Sequence, residues 1–375
     1  MPCPSTDRTH RSLIASLVLL AALAPATARG QGGRGILVQG LADVEGWATD
    51  SASPLLTRNG GRPGALARLQ LWSAAEPRRG FLLIVQGELE TGTARAESER
   101  TEMYLERIGV RLAPRRAFIV EGGKMPHPVG AFASRHLSSR NPLIGMPDGY
   151  PIEYPLGFSI SGSIEHADYR AAMVSLPVAH EDYVPEPTSR LRPVLGAGVT
   201  PTAGVHLGTS VTWGPYLNET LAPSLLDGRS WTSFRQRVMA IDAELSRGYL
   251  ETHAELARSS YDVPRRDTPL GGLTYYAEAK YTVAPRVYVA ARYERNEYPY
   301  IQPFGDSSWI AQATNLYDGE VGVGYRVTSS RLLKLTYRGD RWRVDPAMRA
   351  FLRDGRALAM QVSQAFDIGE LIDRR

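Results

Sequence analysis

The sequence predicts an all-β fold, a transmembrane antiparallel β-barrel of about sixteen strands. Three observations predict it. Segments that alternate apolar and polar residues with a period of two recur along the whole chain. The connections between them alternate short and long, about seven short and eight long. The chain also opens with an export signal but has no later apolar run of the roughly 18 residues a membrane helix needs.

Residues 1–28 read as a cleaved secretory signal peptide. Arg8, His10 and Arg11 make a basic start, Ser12 to Ala24 is apolar, and Ala26-Thr27-Ala28 is a small-x-small cleavage pattern. The rival reading is a membrane anchor, but the run is too short to cross about 30 Å of hydrocarbon as a helix. Cys3, the sole cysteine, falls in this segment. Residues 29–375 then form a single barrel domain without disulfides or thiolate chemistry, stabilised by a large core or a closed sheet.

Ile36, Val38, Ala42 and Val44 open the first strand, with Gln39, Asp43 and Glu45 on its other face. Ala65, Ala67, Leu69 and Leu71 oppose Arg68, Gln70 and Trp72; Phe81, Leu83, Val85 and Leu89 oppose Gln86, Glu88 and Glu90. Tyr104, Ile108, Val110 and Leu112 share a face in the next strand. A short strand around Phe118 and Val120 leads into about thirty residues, Met125 to Pro155, before Leu156, Phe158, Ile160 and Ile164 alternate with glycine and serine. The second half repeats the rhythm: Met239, Ile241 and Leu245 oppose Asp242 and Glu244; Tyr275, Ala277, Ala279 and Tyr281 oppose Glu278 and Lys280; Leu333, Leu335 and Tyr337 oppose Lys334 and Arg338. Pro177–Ser189, Gly214–Ser230, Asn296–Ala313 and Gly339–Asp354 read as long loops. Four of the short connections place a proline between a small or polar residue and Arg or Thr: Glu76-Pro77-Arg78, Ala113-Pro114-Arg115, Thr200-Pro201-Thr202 and Ala284-Pro285-Arg286.

A soluble Greek-key protein shows the same alternation, but it has no reason to keep all its long loops at one end. Lipid supplies that reason. Hydrocarbon cannot satisfy backbone N–H and C=O groups, so a sheet there must close on itself. Short turns then lie on the periplasmic side and long loops outside. Eighteen tyrosines against eight phenylalanines fit residence at a water–membrane boundary. Glu278, Lys280, Arg292, Glu294, Lys334 and Arg338 all oppose the apolar face and read as lumen-facing charges standing in water. On the lipid face an arginine at midplane costs about 2–4 kcal/mol.

Counted from the first strand, the thirty-residue connection is the third long loop. Together with Glu121-Gly122-Gly123-Lys124-Met125-Pro126-His127-Pro128-Val129-Gly130 and Arg140-Asn141-Pro142-Leu143-Ile144, it resembles the outer-membrane porin superfamily, general and phosphate-selective types. The likeness is to a Gly-Lys-aromatic-x-x-Pro-x-Gly segment, with Met125 where an aromatic is usual. Porins commonly end on a terminal aromatic, whereas here nine residues follow Phe366. The resemblance implies that the third long loop folds into the lumen and narrows it. It also implies an outer membrane of the Gram-negative type, lipid around the barrel, and assembly as a homotrimer.

Lys124, Arg135, Arg140 and Asp148 are the candidates for a charged constriction. Glu88, Glu90, Asp242, Glu244, Glu251, Glu255, Glu278 and Glu320 also face inward, so the charge mixture argues against strong anion selectivity. The expected function is passive diffusion of small hydrophilic or ionic solutes, with no catalysis. One alternative is a barrel that sheathes a partner protein, such as an electron-transfer or secretion component; an outer-membrane enzyme is the other. Ser159, Ser161 and Ser163 lack a Gly-x-Ser-x-Gly elbow. His206 and His253 read as residues of a wet strand face, with no metal spacing. Gly122-Gly123-Lys124 lacks the spacing of a phosphate-binding loop, and no Cys-x-x-Cys-His occurs. No cofactor and no nucleic-acid partner are expected; a net charge of +4 identifies no partner.

Overall fold

In the computed structural model, residues 36–368 are described, except 96–99, 150–153, 176–189, 218, 226–227, 305–307, 345 and 347. The expected signal peptide and most of the Pro177–Ser189 loop lie outside the described residues. The strands are β1 (Ile36–Thr49), β2 (Gly64–Arg78), β3 (Phe81–Gly92), β4 (Thr101–Arg115), β5 (Phe118–Lys124), β6 (Leu156–Ile164), β7 (Ala167–Val174), β8 (Arg192–Thr202), β9 (Val205–Pro215), β10 (Arg235–Arg247), β11 (Leu250–Tyr261), β12 (Leu270–Ala284), β13 (Val287–Phe304), β14 (Ser308–Arg326), β15 (Arg331–Arg343) and β16 (Gly355–Asp367). Each pairs antiparallel with its sequence neighbours, and β1 pairs with β16, from Gln39 opposite Asp367 to Thr49 opposite Ala357. The ring is closed. Among the described residues no helix is long and apolar enough to cross a membrane.

Parity along each strand sorts the two faces. Ile108, Phe158, Leu195, Leu207, Ile241, Val289, Val321, Leu335 and Met360 are all exposed, because they form the outside of the ring. Their neighbours Asp43, Gln70, Glu255, Glu278, Arg292, Glu320 and Lys334 are buried. A water-soluble domain shows the reverse. Tyrosines gather in two outer tiers: Tyr249, Tyr281 and Tyr325 toward the short turns, Tyr275, Tyr293 and Tyr317 toward the long loops.

The prolines in the short connections have a structural counterpart. The hairpins β2–β3, β4–β5, β8–β9 and β12–β13 each carry a register shift at the proline site, for example between Ala75 and Arg78 around Pro77. The short hairpins without proline, β6–β7, β10–β11 and β14–β15, run without a shift. Proline has no N–H for the ladder, so the pairing steps around it. Each short turn also lends a carbonyl to the next strand: Gly80, Arg116, His166, Gly204, Tyr249, Arg286 and Ser330 accept from Ala113, Ser163, Thr200, Ser246, Thr282, Arg326 and Ala365. The short-turn rim is stitched from the β2–β3 turn round to β16.

Two expectations change. Asn296–Ala313 is mostly strand: β13 and β14 run 18 and 19 residues and pair as far as Phe304 opposite Ser308. The sequence there, with Pro299 and Pro303, lacks the alternation of apolar and polar residues that marks a strand with one apolar face. Tyr104 does not share a face with Ile108. A bulge opposite Gln86 and Gly87 inverts the parity, so Tyr104 lies opposite Glu88 and its hydroxyl accepts from Arg95.

Candidate functional site: the lumen and its inward loop

The third long loop, residues 125–155 (L3), leaves β5 and crosses the lumen. Its ends are held together by the Met125 N–H donating to the Pro155 carbonyl at 3.0 Å. It then visits the far wall strand by strand. The Gly130 N–H donates to Ser210 Oγ on β9 at 3.1 Å and the Ala131 N–H to Glu255 Oε1 on β11 at 2.9 Å. Gly130 has φ +71°, and a Cβ there would run into the Glu255 carboxylate, so glycine is required. Phe132 is buried and meets Tyr276 edge-on, ring centroids 5.9 Å apart. Arg135 pairs with Glu278 on β12.

Lys334 on β15 makes the central attachment. Its Nζ donates to the carbonyls of Ser138, Asn141 and Leu143 at 2.6, 2.7 and 3.2 Å. Three converging carbonyls use all three ammonium donors. The Gly145 N–H donates to Glu320 Oε1 on β14 and the Gly149 N–H to Glu294 Oε1 on β13, both at 2.9 Å. Asp148 pairs with Arg338 Nη2 at 2.5 Å. On the return, the Tyr154 hydroxyl bridges His136 Nε2 at 3.1 Å and the Gln86 amide on β3 at 3.4 Å. L3 is therefore tied to both sides of the lumen.

This contact changes the setting of the charges read as lumen-facing. Glu278, Arg292, Glu294, Lys334 and Arg338 point inward but are buried beneath L3 rather than standing in water. Arg292 is held between Glu278 at 3.1 Å and Glu320 at 2.7 Å and also donates to the Gly145 carbonyl. Arg338 joins Asp318 at 2.7 Å to Asp148. Lys280 stays half-buried beside Glu251 at 2.9 Å. Parity puts these groups inside; only the loop decides that they are dry.

The four constriction candidates do not form one ring. Lys124 donates to the Leu105 carbonyl on β4 at 2.5 Å. Arg135 and Asp148 are spent on wall ion pairs. Arg140 is exposed and donates to the Ser134 carbonyl at 3.0 Å within L3.

Two cavities flank L3. The one toward the long loops is about 740 Å³, lined by Arg58, Arg68, Arg95, Glu45, Glu90 and Asp148 among others. The one toward the short turns is about 420 Å³ and includes Arg107, Glu121, His127, Arg170, His206 and Asp242. Arg68 sits among Glu45, Glu88 and Glu90 at 3.5, 3.5 and 2.5 Å, and Arg107 pairs with Glu121 at 2.5 Å. The sequence reading did not select these arginines. Arg68 was legible as a polar-face residue of β2, but nothing in the sequence tells a wet inward position from a covered one. Arg58, in the loop after β1, carries no sequence signal at all.

Three L3 groups are shifted by their surroundings. Burial holds the His127 imidazole down to about 4, with the charges of Arg192 and Arg170 adding to the effect; its Nδ1 accepts from the Val129 N–H at 3.3 Å, as a neutral ring can. His136 is also lowered by burial. Burial pushes the Tyr154 phenol well above its usual value, which keeps its hydroxyl proton in place. L3 is docked with neutral rings on its underside and charged pairs along its far edge.

No family model matches the chain, and no curated sequence matches it. Solved structures do. The anion-selective porin from Comamonas acidovorans superposes with TM-score 0.61 at 9% identity, over 89% of this chain and 100% of that one. Salmonella typhi OmpF, in a complex with daunomycin, gives 0.59 at 12% identity, over 89% and 98%. The trimer form of Vibrio cholerae OmpT, an outer membrane protein, gives 0.56 at 10% identity, over 89% and 100%. At such identities the likeness is one of fold. The closed sixteen-strand ring, with its exposed apolar exterior and buried polar interior, has the fold of the porin-type outer-membrane β-barrels it superposes on.

Proposed function

We propose that this barrel is a passive channel for small hydrophilic or ionic solutes, carried to the outer membrane of a Gram-negative-type bacterium by the signal peptide at residues 1–28. One observation carries the reading. L3 is pinned across the lumen at both walls, with a polar cavity on each side of it. A loop anchored so heavily has a fixed position, and a fixed position is what a size limit needs. The neck then lies between the His136–Tyr154 edge of L3 and the inward groups of β2–β4, where Arg68, Glu88, Glu106 and Arg107 gather. Of the sequence candidates, Arg140 is exposed on L3 and Asp148 lines the larger cavity; Lys124 and Arg135 act as anchors. Alternating cations and carboxylates pass solutes by size more than by sign.

The reading has no catalytic step. His206 is bonded to Asp168 at 2.9 Å and lies 3.7 Å from Asp242. No serine hydroxyl pairs with it among the described residues, so the elements of a serine nucleophile are not joined there. Assembly as a homotrimer belongs to the same proposal, in line with the trimer form recorded for the Vibrio cholerae protein; native electrophoresis of detergent-extracted protein checks it.

Planar-bilayer recording of the pure protein under a salt gradient tests the channel. Steady conductance with a modest reversal potential is expected. Absence of conductance, with a protein bound in pull-downs, would favour the sheath reading instead.

A further inference from the structure

The outer face of β13–β16 changes character toward the long loops. Tyr293, Val321, Tyr337 and Leu358 are exposed and belong to the lipid-facing band. Level with Tyr293 and above it come arginines: Arg356 on β16 in its row, then Arg295 on β13 and Arg341 and Arg343 on β15. Tyr317 on β14 stands between two of them, with the Arg295 and Arg343 guanidinium carbons 5.4 and 4.9 Å from its ring centroid. Arg295 also pairs with Glu297 at 2.7 Å. Arg341, Arg343 and Arg356 are exposed and have no carboxylate within 4.0 Å among the described residues. Asp50 and Asp354, the nearby acids, take the backbone N–H groups of Arg356 and Trp342.

Beneath this cluster is a gap in the side-chain surface. The register sets Tyr293, Gly319, Gly339 and Arg356 in one row across four strands. The two middle positions have no side chain. A Cβ at Gly319 would meet nothing within 4 Å, and one at Gly339 would meet only the Gly355 carbonyl at 3.7 Å. The window is about 10 Å wide, two strand spacings. It is rimmed by tyrosine and arginine and opens downward onto the apolar band.

We propose that this window holds a lipid whose headgroup bears phosphate, taken from the leaflet on the long-loop side. Charge complementarity argues it. Three guanidiniums with no carboxylate within 4.0 Å among the described residues, and a fourth shared with Glu297, gather on one patch, and like charges gather at a surface where an anion joins them. Guanidinium forks fit phosphate oxygens bidentately. The depth argues it too. The arginines stand at the level of the upper tyrosine tier, Arg295 and Arg341 in the row of Tyr317 and Arg356 in the row of Tyr293, where headgroups lie, and the glycine window leaves room for a chain. Arginines also occur in the short turns, such as Arg247 and Arg286; the open glycine beside Arg247, Gly248, is a single turn residue at φ +61°, not a pair facing each other across two strands. The inference rests on the barrel lying in a membrane and not on its conducting, so bilayer recording and lipid binding test separate claims.

The test uses the full chain in phosphatidylcholine nanodiscs with trace bisphosphorylated lipid A, bound lipid counted by native mass spectrometry. The wild type is expected to retain the lipid. The variant Arg341→Gln/Arg343→Gln/Arg356→Gln should bind it roughly a hundredfold more weakly. Gly319→Leu keeps every arginine and fills the window, and it too should weaken binding. Arg247→Gln/Arg286→Gln should bind as the wild type does. Equal retention by the wild type and the triple variant overturns the proposal, as does an equal loss in the short-turn control. Full competition by inorganic phosphate at millimolar concentration also overturns it, since the patch would then be a free-anion site.

Discussion

The inner surface of the barrel has two walls built from the same alphabet. On β12–β15, Glu278, Arg292, Glu320, Lys334 and Arg338 are buried under L3, paired to each other and to its backbone. On β2–β4, Arg68 and Arg107 are partly open, their side chains 18% and 20% exposed, and face the cavities. One wall uses its charges as fasteners and the other leaves them open to the cavities. Identical residue types at identical strand parity therefore serve opposite ends, and the loop is what divides them.

The sharpest way to break that division is Lys334→Met. It strips three carbonyls of their donor inside a buried site, where removing one member of a charged network costs on the order of 3–5 kcal/mol. L3 should detach while the ring persists, since Lys334 is not part of the ladder chemistry. Trypsin should then cut at Arg140, already exposed, and bilayer traces should turn noisy. Resistance to trypsin equal to the wild type would show that the lysine is not the clasp.

Acid should act on the same loop from below. The His127 imidazole titrates near 4 when buried, against an ordinary value near 6.5. Between those values the undocked loop binds a proton that the docked loop refuses, so docking weakens as pH falls and the loss is complete near pH 4. The full effect is roughly 3 kcal/mol. Conductance fluctuations should rise between pH 6 and 4, and His127→Phe should flatten that dependence. A variant with the wild-type pH profile would assign the effect elsewhere.

Gly40→Val tests the ring apart from the loop. A Cβ at Gly40 would strike the Phe366 ring across the β1–β16 seam. Overpacking of this kind costs about 1–3 kcal/mol. The folded band should lose its resistance to heat in gel electrophoresis at a lower temperature than the wild type. An unchanged transition would mean that the ring moves aside freely.

The smallest structural effect and the clearest functional one belong to Arg68→Gln on the open wall. Its pairs are partly solvated, so stability should change by under about 1 kcal/mol. The reversal potential should move toward cation preference, because Glu45, Glu88 and Glu90 lose their counter-charge. Arg292→Gln, on the covered wall, should do the opposite, harming stability with little change in selectivity. If both variants shift the reversal potential alike, the two walls are not distinct.

These contrasts explain what could be read from the residues. Ladder parity follows from a period of two, so the ring, the strand number and the inward set containing Glu278 and Lys334 were legible. The inward course of L3 was implied by the resemblance to porins, which its length and its place after the fifth strand help to carry. The hydration of each inward group was not legible, because it depends on where a distant loop settles. Arg135 looked like a pore residue because it is a charge in the third loop; its pairing with Glu278 is a contact across the lumen that no local pattern records. The upper reach of β13 and β14 was missed for a related reason. There the two-faced alternation stops, and with it the signal that marks a strand.

The seam between β1 and β16 has a consequence for how the molecule comes into being. Its rungs join the beginning of the barrel to its end, Gln39 to Asp367. Contacts this remote in sequence form slowly. Until the last thirteen residues of the sheet, Gly355–Asp367, have arrived, both outer strands present bare edges to anything nearby. A chain still short of β16 therefore carries two open edges, and the sheet becomes self-sufficient only when its last strand is in place.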